Sequence, residues 1–250
     1  MTMTGSSTVR VAAISHDQAM RLAATEYQRF LDLLRSLEPE DWTKPTDCPG
    51  WDVRALAAHL LGMVEMAASL WENLRQMTLA RRRGGVYIDA LTQLQVDERA
   101  DTTPTQIVDR LAARAPKAVR GRRRMPGVVR RRAMPVRQLV GDREEVWTLG
   151  YLVDVILTRD PWMHRIDIVR ATGAAHVLTP DHDGQIVAGV VTEWATRHGQ
   201  PFELHLAGPA GGRWTLGRGG QHIAVAAVDF CRAVSGRGPA EGLLRTQVPF

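Results

Sequence analysis

Cysteine is scarce in this chain: Cys48 and Cys231 are the only two in 250 residues, and they lie far apart. That excludes a disulfide framework and a CxxC metal pattern, and a reducing, cytoplasmic setting fits best. Long apolar runs are missing as well. No uncharged apolar stretch approaches the roughly 18 residues that a membrane span needs. The start, Met1-Thr-Met-Thr-Gly-Ser-Ser7, is polar with no apolar signal core behind it, so neither export nor membrane insertion is expected. Acid is absent between Lys117 and Arg137, where nine basic residues fall. Removing those nine from the net charge of +5 leaves −4 on the remainder, so the basicity belongs to one segment and not to the fold. The same segment contains no aromatic residue, which speaks against stacking on single-stranded nucleic acid. A nucleic-acid partner is therefore not expected. Gly217-Arg-Gly-Gly220 has neither the lysine nor the strand-to-helix context of a phosphate loop and reads as a turn.

What is present is helical periodicity, followed by a change of pattern. Ser15 and Gln18 form a capping-box pair ahead of Met20, Ala23, Tyr27, Phe30, Leu34 and Leu37, which recur at helical spacing. Pro39 and the stretch Thr43-Lys-Pro-Thr-Asp-Cys-Pro-Gly50 then break the helix, with Trp42 and Trp51 expected to pin the connection to the core. Asp52 caps a second helix whose apolar stripe runs from Val53 to Met77 for about seven turns, ending at Arg81-Arg-Arg-Gly-Gly85. Thr103-Pro104 begins a third, expected to dissolve at Pro116 into a mobile arginine-rich loop over 117–137. That loop either is simply solvated or draws an anionic ligand toward a nearby cleft. A fourth helix covers 158–173 and ends at Gly173.

Four helices with long connections imply a bundle over residues 15–173. Past a boundary near 174–180 the pattern turns to α+β over 176–250. A helix capped by Asp181 or Asp183 runs to His198, strands alternate through Phe202, Leu204 and Leu206, then Arg213–Leu216 and Ile223–Val225, and a last helix through Val228, Phe230 and Val234 stops at Gly236.

Asp160 and His164 stand four apart in the fourth helix, so their side chains share a face and can meet one ion. A catalytic zinc site takes three protein ligands and keeps a position open, and His59, at the edge of the second helix's apolar stripe, is the best third candidate. The same residues admit simpler readings. Asp160-Pro161 also has the form of an N-cap with proline at the first helical position, and either histidine could be a hydrogen-bonded core residue.

Trp42 with Pro45-Thr-Asp-Cys-Pro-Gly-Trp-Asp-Val-Arg-Ala-Leu-Ala-Ala-His59 resembles the first signature of the mycothiol-dependent maleylpyruvate isomerase family, within the DinB-like superfamily. Asp160-Pro-Trp-Met-His-Arg-Ile-Asp167 resembles its second, and Phe230-Cys-Arg-Ala-Val-Ser-Gly-Arg237 is similar to the motif of its small C-terminal domain. The resemblance implies a two-domain α+β protein: a DinB-like four-helix bundle followed by a small sterol-carrier-like α+β domain. It implies a divalent metal, zinc above all, on His59, Asp160 and His164, with mycothiol as thiol cosubstrate and a small electrophile as substrate. Asp160 departs from the glutamate common in the family and is one methylene shorter. Arg232 and Arg237 are candidates for neutralising substrate carboxylates, or else surface charge.

The implied activity is metal-assisted addition of the thiol to an electrophile, as isomerase or S-transferase. Neither cysteine is needed as nucleophile. The competing reading is a non-catalytic module binding metal and a lipid or other small ligand. Nothing in the sequence speaks to oligomeric state.

Overall fold

The computed structural model describes residues 9–250. The polar start Met1–Ser7, on which the expectation about export rests, lies outside them.

In chain order the elements are β1 (Val9–Arg10), α1 (His16–Arg35), α2 (Val53–Ala68), α3 (Leu70–Arg83), α4 (Tyr87–Asp97), α5 (Pro104–Arg123) and α6 (Gly127–Arg130). Then come β2 (Gln138–Val140), β3 (Arg143–Trp147), α7 (Leu149–Tyr151), a wide turn over Leu152–Ile156 and α8 (Leu157–Thr172). The chain finishes with α9 (Gln185–His198), β4 (Phe202–Ala207), β5 (Gly212–Leu216), β6 (Gln221–Ala226) and α10 (Ala227–Val234). Among the described residues no helix is long and apolar enough to cross a membrane.

Two compact units share the chain. The helical unit takes His16–Met125 and Pro161–His176, and the mixed unit takes Pro126–Asp160, Val177–Phe250 and, of the described residues before them, 9–15. One crossing therefore falls inside α8, between Asp160 and Pro161, and another between His176 and Val177.

In the helical unit α5 packs on α1 and α2, while α3 and α4 form a hairpin against α2. Met20, Phe30, Leu56, Leu60, Ile107 and Leu111 are fully enclosed. The seven-turn second helix is in fact two. Ser69 is extended (φ −145°, ψ 123°), and its side chain accepts from the Glu72 amide, which caps α3 and ends α2. The Ser-x-x-Glu signal stood in the sequence, but the apolar stripe ran across it. As a result Leu70 and Leu74 are exposed instead of inward, as is Trp71 beside them.

The arginine-rich loop is also corrected, because α5 runs through Pro116 to Arg123. Pro116 lies on the exposed face, where water can take the hydrogen bond its ring denies to the backbone. Ala115, Ala118, Val119 and Arg122 meanwhile stay buried at helical spacing, and that packing outweighs the proline penalty of about 3 kcal/mol. Arg122 donates to the Tyr27 hydroxyl at 3.0 Å, so one of the nine cations faces the core.

In the mixed unit β4 lies between β5, antiparallel, and β6, parallel. Phe202, Leu204 and Leu206 point inward from β4, and Trp194 of α9 meets Phe202 and Phe230 edge to face. A second small sheet, β1-β3-β2, had no strong sequence signal. Arg197 of α9 donates to Glu145 on β3 and to Glu193 one turn back, at 2.7 Å each. Arg10 reaches the same Glu145 from β1, and Tyr151 and Arg159 reach Glu193.

Candidate metal centre

α8 carries two of the three sequence-nominated donors. It starts at Leu157, so Asp160 is not its N-cap and Pro161 is an interior proline. The ring of Pro161 would meet the carbonyl of Leu157, and Leu157 is where the backbone leaves helical geometry, with ψ of 7°. The helix therefore carries Asp160 and His164 on one face, as the i, i+4 spacing required.

His59 comes from α2. Its ring centroid lies 5.4 Å from that of His164, edge on at 86°. Donor atoms of His59, Asp160 and His164 all lie within 4.8 Å of one another, close enough for one ion to draw them together. Both histidines are buried, at 5% and 4% exposed. Trp51, partly buried, stands 5.2 Å from the His59 ring and 6.5 Å from that of His164, and walls one side of the group.

Each imidazole is held by its other nitrogen. His164 Nδ1 lies 3.2 Å from the carboxylate of Asp167, which is fully buried on the next turn of α8. A carboxylate accepts, so His164 donates from Nδ1 and keeps its lone pair on Nε2, the arrangement typical of metal-bound histidine. His59 Nδ1 lies 2.8 Å from Oε1 of Gln95 on α4. Asp167 sat inside the quoted signature, and its i+3 relation to His164 was the available clue. Gln95 had no signal, because it comes from a helix the periodicity did not show.

A second donor group overlaps the first. Cys48 Sγ lies 3.8 Å from His164 Nδ1 and 3.5 Å from Asp167, and Cys48, His164 and Asp167 also satisfy the spacing of a metal cluster. The two groups share His164, and the second meets its ring at Nδ1. The second group therefore uses the proton-bearing Nδ1 that already serves Asp167.

Arg232 and Arg237 belong to the mixed unit. Arg232 is buried and donates from Nη2 to the Arg237 carbonyl at 2.9 Å, bridging the turn after α10. Arg237 is only partly buried. A cavity of about 550 Å³ opens elsewhere on the helical unit, lined by Glu65, Trp71, Glu72, Arg75, Arg99 and Arg110 among others, and it contains none of the metal-capable residues above. Arg75, Arg99 and Arg110 there are matched by Glu65, Glu72 and Glu98 at 2.5–2.7 Å, which offsets most of its positive charge.

Residues 23–169 match the model of the mycothiol maleylpyruvate isomerase N-terminal domain family. Among solved structures, that of a mycothiol-dependent maleylpyruvate isomerase superposes with a TM-score of 0.55 at 14% identity, over 90% of each chain. A mutant of such an isomerase gives 0.56 at 14% identity, again over 90% of each chain. At that identity the likeness is one of fold. No curated protein matches the chain.

Proposed function

Because the chain belongs to the mycothiol maleylpyruvate isomerase N-terminal domain family, we propose that it is an enzyme that adds a low-molecular-weight thiol, mycothiol, to a small electrophile. The carrying observation is the convergence of His59, Asp160 and His164 donors within 4.8 Å. Two imidazoles and one carboxylate with a position left over are the donor chemistry of a catalytic zinc site. When bound, the ion supplies charge that holds a thiol as thiolate near neutral pH, against an ordinary thiol pKa of about 8.5. The chain's own part is to hold and orient. Asp167 fixes the His164 ring, and Trp51 limits water on one side of the donors. In an isomerase the thiol adds to a cis double bond, the bond rotates and the thiol leaves. In a transferase the new carbon–sulfur bond persists. Arg232 and Arg237 are the guanidinium candidates for a carboxylated substrate, as the sequence motif suggested.

The test is direct. Purified protein is expected to carry close to one zinc per chain, and to consume mycothiol with an electrophile panel faster than the uncatalysed reaction. No metal after reconstitution would defeat the reading, and metal without adduct formation would make the protein a binding module.

Asp160 offers a finer check. Asp160→Glu restores the methylene common in the family and is expected to bind zinc at least as tightly as wild type in a chelator competition. Asp160→Ala is expected to bind it more weakly. Equal affinity for all three would remove Asp160 from the donor set.

A further inference from the structure

A chain of buried amides decides which end of Gln95 meets His59. The backbone carbonyl of Gly62 has no proton to give, so across 3.1 Å it must accept from the side-chain nitrogen of Gln76. The Glu72 carboxylate, 2.8 Å from the same nitrogen, imposes the same orientation. Gln76 therefore turns its oxygen toward Gln95, which must present its own NH2 across 2.9 Å. The carbonyl of Gln95 then faces His59 Nδ1 at 2.8 Å. A carbonyl oxygen only accepts, so His59 carries its proton on Nδ1 and its lone pair on Nε2.

We infer that Gln76 and Gln95 are positioning residues: a two-amide relay that locks His59 in the tautomer whose Nε2 can take a metal ion. Both are buried, at 0% and 2% exposed, on the helices of the α3–α4 hairpin. Turning either amide over would set two donors or two acceptors face to face in a low-dielectric interior, which costs far more than in water. Gly62 makes the relay possible in two ways. Its carbonyl orients Gln76, and a Cβ at that position would lie 2.6 Å from Gln95 Cβ and 2.7 Å from its Cγ. Any other residue would push α4 away from α2 and draw Gln95 off the histidine. Two adjacent helices thus serve a donor that neither of them bears.

The zinc readout rests on the proposed role of His59, whereas the tautomer is a property of the metal-free protein. Nitrogen-15 shifts of the histidine rings, recorded on metal-free protein at a pH where His59 is neutral, report which nitrogen is protonated. Wild type is expected to be protonated on Nδ1. Gln76→Leu removes the acceptor that orients Gln95, and is expected to move His59 toward the Nε2-protonated form and to weaken zinc binding by about 10- to 100-fold. Gln95→Leu is expected to weaken zinc to a similar degree. Gln93→Ala, on the exposed side of α4, is expected to change neither. A wild-type His59 protonated on Nε2 overturns the inference without any variant having to fold. So do two Leu variants that bind zinc as tightly as wild type. Protein that binds no zinc at all defeats the reading of the site, while the tautomer measurement still decides the relay.

Discussion

His164→Ala is expected to reduce bound zinc from about one per chain to near zero and to bring thiol addition down to the uncatalysed rate. Two of the three possible donor groups among the described residues pass through this one ring, with His59 and Asp160 in one and Cys48 and Asp167 in the other, while Glu26, His182 and Asp183 form a third that does not include it. Its removal leaves either group with two donors, one fewer than a catalytic zinc site uses. The neighbouring substitutions separate the groups. His59→Ala is expected to match the loss, and Cys48→Ser to retain full zinc, because the thiol faces the nitrogen that donates to Asp167. Elemental analysis of the three variants settles the point: zinc lost in Cys48→Ser and kept in His59→Ala would move the site to the cysteine group. Asp167→Asn is the intermediate case. An asparagine still accepts through its oxygen but without charge, so a partial loss fits the 10- to 100-fold range of about that size seen for outer-shell partners.

Arg197→Met is expected to destabilise the mixed unit by about 3–5 kcal/mol at neutral pH, read by urea unfolding. Its side chain is 4% exposed and holds two carboxylates at once, Glu145 across to β3 and Glu193 on its own helix. Burial by itself would raise both carboxyls. For Glu145 the Arg10 hydrogen bond and the Arg197 charge overcome it, and for Glu193 the charges of Arg159 and Arg197 do, so both sit below the ordinary range. Burial likewise opposes the charge on Arg197, and the two glutamates reverse it. A carboxyl depressed in the folded state contributes stability above its unfolded pKa of about 4.3, and that contribution fades as pH falls through the folded value. The gap between wild type and Arg197→Met is therefore expected to narrow below about pH 4. A gap that stays constant down to pH 3 would mean that Arg197 acts through packing alone.

The convergence of His59, Asp160 and His164 was open to anticipation because each lies on a strongly patterned helix. Spacing alone tied Asp160 to His164, and the stripe of α2 set His59 at its edge. The helix end at Gly173 and the order of helix, three strands and helix in the last 70 or so residues were equally plain, since glycine, proline and strict alternation marked them. What escaped was decided by contacts between distant residues. Ser69 breaks a stripe that Leu70, Leu74 and Met77 seemed to continue. Pro116 is overruled by buried neighbours on the opposite face of α5. The α4 helix offers only Leu91 and Leu94 as buried apolar residues beside a buried glutamine, too little period to detect, yet that glutamine holds His59. Pairing of Val9 and Arg10 with β3 spans more than 130 positions, and no local pattern announces it.

Trp51 gives the centre an optical handle. An indole this close to two imidazoles feels a charge placed beside them, so its emission is expected to respond when a cation binds there. Part of the background can be separated: Trp162 and Trp194 are sealed from solvent and from soluble quenchers, and Trp42 and Trp147 are nearly so, while Trp71 is 77% exposed and open to them. Titrating zinc into quencher-treated protein would then follow occupancy through a chromophore the chain already owns, with no label attached.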